Sequence, residues 1–227
     1  MGAIGAPLGP PFDVPDFTVS GALPPYLGTT PTVLAAMSPY PTTLARIAGK
    51  LCRSSPRREI FRGLLQYRQE LARIGLSDGF QWLCGSFLED IEALETRDPR
   101  DVDVVTFCHL PAATADDPAW RVFTTANINL LLWQLVKPVF RCDAYFVDLD
   151  TAPANVVNQA QYWFGLFSHR RDGLWKGLLQ IPLAVAQDDA DASPVFSGCS
   201  FTRFSGYCSI WLGRYVTCLV SWCVSPL

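Results

Sequence analysis

Two short strings hold the residues best suited to chemistry in this 227-residue chain: Gly85-Ser86, which closes an apolar run, and Asp101-Val102-Asp103, which opens another. Side chains alternate faces along a strand, so Asp101 and Asp103 project together while Val102 and Val104 point the other way. Two carboxylates held a few ångströms apart repel and resist ionisation unless a cation lies between them. A hard divalent ion such as magnesium, which takes oxygen ligands and substrate phosphates, fits such a pair. Gly85 lets the backbone approach a ligand closely, and Ser86 offers a hydroxyl and an amide to a phosphate, best where a helix begins. Alone, an Asp-x-Asp pair at a strand start is most often a solvated surface feature, so the elements that position it matter.

Those elements read as alternating strands and helices. A helix is expected from the N-cap Ser55 and Pro56 to Gly75, with Ile60, Phe61, Leu64, Leu65, Leu71 and Ile74 on its apolar face. Arg58, Arg62, Arg68, Glu70 and Arg73 form the expected solvated face. Strands follow at Phe80 to Cys84, Asp101 to Phe107, Tyr145 to Leu149 and Lys176 to Leu183. Between them, an apolar helix from about Thr125 to Val136 should be buried and end at Pro138, and another spans Asn155 to Phe167. The fold class is therefore α/β (α+β), a mixed sheet flanked by helices. Residues 1–40 form an irregular, proline-punctuated lead-in that wraps the surface from Phe12 to Tyr40, residues 41–187 the main domain, and residues 188–227 a tail.

Leu83-Cys84-Gly85-Ser86 followed by Asp101-Val102-Asp103-Val104 resembles the nucleotidyltransferase superfamily related to DNA polymerase beta. The resemblance implies that Gly85 and Ser86 bind a nucleoside triphosphate and that Asp101 and Asp103 bind metal, two magnesium ions with manganese as a substitute. It further implies a third carboxylate on a later strand. Asp143 is the candidate and Asp148 the alternative; period-two counting puts them on opposite faces, and Asp143 stands at the strand's entrance. Fourteen residues, Phe87 to Arg100, separate Ser86 from Asp101, more than the superfamily usually has, which predicts a loop around Glu92 to Pro99. A closer resemblance, to an uncharacterised bacterial branch, runs through Gly21 to Pro25, Gly79 to Glu89, Pro99 to Val105, Tyr162-Trp163 and Lys176-Gly177. The implied activity is transfer of a nucleoside monophosphate from ATP or another nucleoside triphosphate to a hydroxyl of a protein, RNA or small molecule. The resemblance also implies a toxin-antitoxin or phage-defence setting, with a partner protein encoded nearby. The competing expectation is an inactive member of the fold that acts through protein contact.

Composition narrows the alternatives. A net charge of -3 argues against a general nucleic-acid binder with a large basic surface. Eight cysteines without a signal-peptide pattern suggest free thiols in a cytoplasmic protein, and no apolar run is long enough to predict a membrane span. Four of those cysteines crowd into the last 35 residues, where Arg203 and Arg214 are the only charged side chains after Ser193. Such an end is what a reading-frame change near Asp191 produces. His109 and His169 lack zinc-ligand spacing, Arg170, Arg171 and Lys176 read as a solvated turn, and Tyr162 and Trp163 read as core.

Overall fold

The computed structural model describes residues 12–111 and 117–184, together with Ala192. The expected tail at 188–227, with its four cysteines, lies outside these residues apart from Ala192, which is buried.

Five strands form one mixed sheet: β1 (Tyr40–Pro41), β2 (Gly79–Cys84), β3 (Val102–Cys108), β4 (Cys142–Asp148) and β5 (Leu179–Pro182), in the order β1-β5-β2-β3-β4. β2 lies antiparallel to both β3 and β5, whereas β3 and β4 run parallel. A parallel neighbour requires a crossover. Here it is built from α4 (Asp117–Ala126), α5 (Ile128–Leu131) and α6 (Trp133–Phe140). With these directions, β2 ends at the same margin of the sheet where β3, β4 and β5 begin, and the site described below is built on that margin.

Strand alternation divides the interior into two layers. Val102, Val104, Cys142, Ala144, Leu179 and Ile181 face the larger core, shared with α1 (Leu44–Leu51) and α2 (Ser55–Arg73). Trp82, Val105, Phe107 and Val147 face the other way, toward Ala160, Trp163, Phe164 and Phe167 of α7 (Pro153–Phe167). The segment from Phe12 to Tyr40 wraps the body as extended chain and turns, and it contributes Val14, Ala22 and Leu23 to the interior.

Helix α2 starts one residue earlier than its sequence suggests: Ser54 is the N-cap, accepting a hydrogen bond from the Arg57 amide, and Pro56 sits in the first turn. Its charged face is not wholly solvated. Arg68 is buried and donates to Gln81 Oε1 at 2.7 Å, and Gln81 Nε2 donates to Thr106 Oγ1, so a polar strand pair beneath the helix is satisfied. The expected single helix from Thr125 to Val136 is broken into short pieces, with Leu130 and Val136 buried but Ile128, Trp133 and Leu135 exposed. Pro138 lies inside α6 rather than ending it.

Gly63 fixes where α6 rests on α2. A Cβ there would overlap the carbonyl of Phe140, the last residue of α6. Residue 141 then adopts a left-handed conformation at φ 55°, and its carbonyl accepts from the Val102 amide at 3.0 Å. These two contacts hold the start of β4 level with the start of β3.

Candidate functional site

Register brings the predicted acids together. Across the parallel pair, Asp103 is the direct partner of Asp143, and across the antiparallel pair it faces Cys84, the last residue before Gly85. Asp103 and Asp143 share the sheet face that bears Val105 and Val147, while Asp101 stands just before β3. Asp148 lies on the opposite face at the far end of β4, where its Oδ1 accepts from the Asp150 amide. The geometry therefore groups Asp143, not Asp148, with Asp101 and Asp103.

Lys137, on α6, joins two of these acids. Its ammonium lies 2.9 Å from Asp101 Oδ2 and 2.8 Å from Asp143 Oδ2. One ammonium between them keeps the two carboxylates within about 6 Å of each other, the range over which such groups interact strongly. The second oxygen of Asp143, Oδ1, is buried without a hydrogen-bond partner. Burial first, then the charges of Asp101 and Asp143, push Asp103 up to about 7. The same two carboxylates hold Lys137 above its ordinary value despite its partial burial.

Gly85 forms the wall opposite Asp103. Its φ of 82° lies in the left-handed region, and a Cβ would overlap Asp103 Oδ2, so both conformation and space require glycine. Ser86 opens a one-turn 3-10 helix, Ser86–Leu88, too short to supply a helix dipole. Of the loop expected around Glu92 to Pro99, the first part is instead folded into the short helix α3 (Ile91–Glu95), and irregular chain follows it. Arg57, fully buried, pins the connection: the guanidinium donates to the Phe87 and Glu89 carbonyls at 2.7 and 2.5 Å, and to both oxygens of Glu92 at 2.6 and 2.7 Å. These hydrogen bonds hold Glu92 down at about 2. The extra residues in this connection therefore leave the Gly-Ser turn fixed relative to the acids.

Two lysines complete the margin. Lys176, just before β5, is buried and paired with buried Glu89, and its charge acts on Asp103. Arg170 approaches Glu89 at 3.9 Å, so the turn that reads as solvated directs two of its three cations, Lys176 and Arg170, at a buried acid, while Arg171 is exposed. The sequence gives a hint of both lysines: the chain has only three, and Lys137 is the sole charge in an apolar helix that leads into β4. Their pairing partners are remote in sequence, so spacing could not reveal them.

His109 pairs with Asp150 at 2.6 Å, and His169 packs in a turn beside Ser168. Trp163 packs on Tyr145 with ring centroids 4.4 Å apart, but Tyr162 is exposed rather than core. Cys52, Cys84, Cys108 and Cys142 are free and buried.

The residues fit a divalent cation in two respects: the donors are hard carboxylate oxygens, and one buried oxygen of Asp143 lacks a partner. Among the described residues no three carboxylate, imidazole or thiol side chains are closed into a ligand set, and the Lys137 ammonium stands between two of the acids. Also among the described residues, no helix is long and apolar enough to cross a membrane. No curated protein and no solved structure matches the chain. A family model does match, over residues 15–182, a span that includes Gly85, all three acids and both site lysines. The chain belongs to DUF6932, a family of unknown function.

Proposed function

We propose that the protein is a metal-dependent nucleotidyltransferase that moves a nucleoside monophosphate from a nucleoside triphosphate to a hydroxyl acceptor, with pyrophosphate as the leaving group. The supporting observation is the in-register pairing of Asp103 with Asp143 against the glycine-only wall at Gly85, with Asp101 tied to Asp143 through Lys137. Asp101, Asp103 and Asp143 would hold magnesium, or manganese in its place. When bound, such ions neutralise phosphate charge and lower the pKa of a coordinated hydroxyl. The chain's own groups position the donor: Gly85 keeps the backbone clear for the triphosphate, the Ser86 hydroxyl and amide are available to its oxygens, and the Arg57 clamp fixes that turn. The acceptor, whether on a protein, an RNA or a small molecule, lies outside what these residues specify.

The test is incubation of the purified protein with labelled nucleoside triphosphates and magnesium over an acceptor panel, beside an Asp101→Ala/Asp103→Ala variant. Labelling that needs both metal and acids supports the reading; an absence of labelling and of nucleotide binding opposes it. A second reading, an inactive member acting by protein contact in the cytoplasm, draws on α7. This helix has no charged side chain, and its Val157, Tyr162 and Leu166 are exposed.

A further inference from the structure

Lys137 occupies the position where a cation between Asp101 and Asp143 would lie. It touches one oxygen of each acid, at 2.9 and 2.8 Å, and reaches them from an element fixed independently by the Gly63 to Phe140 contact. The residue type suits a removable occupant. Lysine presents a compact point charge on a flexible four-carbon stem, whereas arginine presents a rigid fork that grips carboxylates bidentately. In a chain with fifteen arginines and three lysines, this position carries lysine. The Lys137 side chain is also 38% exposed, so its head can move toward water without breaking the core.

We propose that Lys137 is a tethered counter-cation: its ammonium holds Asp101 and Asp143 together in the metal-free protein and is displaced when a divalent ion binds. This inference rests on the reading of the acids as metal ligands and adds a regulatory role for Lys137. A single positive charge only partly neutralises three neighbouring acids, and a divalent ion exchanges for it with a net gain of one charge. Lys137 thereby lowers metal affinity and keeps the acids convergent while no metal is bound. It acts through Asp101 and Asp143 and is a positioning residue.

Two measurements on the full chain test this. Manganese binding, followed by the paramagnetic resonance of free Mn2+, is compared among wild type, Lys137→Gln and Asp103→Asn. Removing the competing ammonium is expected to tighten Mn2+ binding by about tenfold, while Asp103→Asn weakens it. In the wild type, amine-reactive labelling of Lys137 read by mass spectrometry is expected to rise several-fold on adding Mg2+, with Lys50 unchanged as the internal reference. If wild type binds Mn2+ through Asp103 but Lys137→Gln binds no tighter and Lys137 labelling does not change, the tethered-cation inference is overturned and the metal-site reading stands. If Mn2+ binding is absent or indifferent to Asp103, both fall. Should Lys137→Gln fail to fold, the wild-type labelling decides alone, an unchanged Lys137 signal overturning the inference.

Discussion

Gly85 and Asp103 are packed so closely that no side chain at residue 85 is compatible with the observed position of the Asp103 carboxylate. Two otherwise separate sequence motifs, the Gly-Ser turn and the Asp-x-Asp pair, are thereby one structural unit, tied by the Cys84 to Asp103 register. Gly85→Ala should cost about 1–3 kcal/mol for a backbone conformation, φ 82° and ψ -170°, that is open essentially to glycine alone, and about 1–3 kcal/mol more for overpacking. Chemical denaturation should show that loss, and Mn2+ binding should weaken in the variant that remains folded. An unchanged midpoint and affinity would contradict the stated packing.

Arg57 carries the connection between the two motifs. Replacing it with methionine leaves the Phe87 and Glu89 carbonyls without their donor and Glu92 with the 3.2 Å hydrogen bond from Arg53, and the expected loss is about 3–5 kcal/mol, as for breaking a buried ion pair. Glu92→Gln should cost less, about 1–2 kcal/mol, because Glu92 is partly exposed. Glu92 is held at about 2 against an ordinary value of 4.5. Its contribution is therefore present above pH 4.5 and lost as pH falls through about 2. Urea melts of wild type and Glu92→Gln at pH 7 and near pH 2 should converge at the lower pH.

Much of this arrangement is legible in sequence where period and turn chemistry speak directly. The alternation from Val102 to Val105 puts Asp101 and Asp103 on one face, and Pro56 and Gly75 bracket α2 within two residues of its ends. Illegible parts depend on contacts between distant segments. Arg68 has the spacing of a solvated residue but lies on the sheet-facing side of α2, against Gln81, and Lys176 sits in a polar turn but is buried against Glu89. The apolar run around Leu130 suggests one buried helix, yet its path over the edge strand β4 breaks it and exposes Trp133. Asp143 over Asp148 is a two-fold choice from alternation; the register with Asp103 selects between them.

Asp103 should give the metal-free protein a distinctive pH response. Its value is raised from 3.8 to about 7 by burial and by the neighbouring acids. The folded state holds this proton more tightly than the unfolded chain, so stability from this group is full below pH 3.8 and lost as pH rises through about 7. Asp103→Asn removes the ionisation penalty and should raise the melting temperature at pH 8, by up to a few kcal/mol of stability, with little gain near pH 4. Thermal melts in chelator across that range test the sign; a variant less stable than wild type at pH 8 would contradict it.

Gly63 should affect the site from a distance. Gly63→Ala forces α6 away from α2 at Phe140, moving the helix that carries Lys137. A loss of about 1–3 kcal/mol is expected from overpacking, together with higher amine reactivity at Lys137 even without metal. Denaturation and lysine labelling on the same sample check both effects.

The most direct test of the central proposal is metal-dependent transfer from α-phosphate-labelled nucleoside triphosphates, measured for wild type and for Asp101→Ala/Asp103→Ala in magnesium. The account predicts label on an acceptor with wild type, loss of about 100-fold or more when the acids are removed, consistent with several kcal/mol of charge stabilisation, and no label in chelator. Equal labelling by both proteins, or neither nucleotide binding nor labelling by wild type across protein, RNA and small-molecule acceptors, would contradict it.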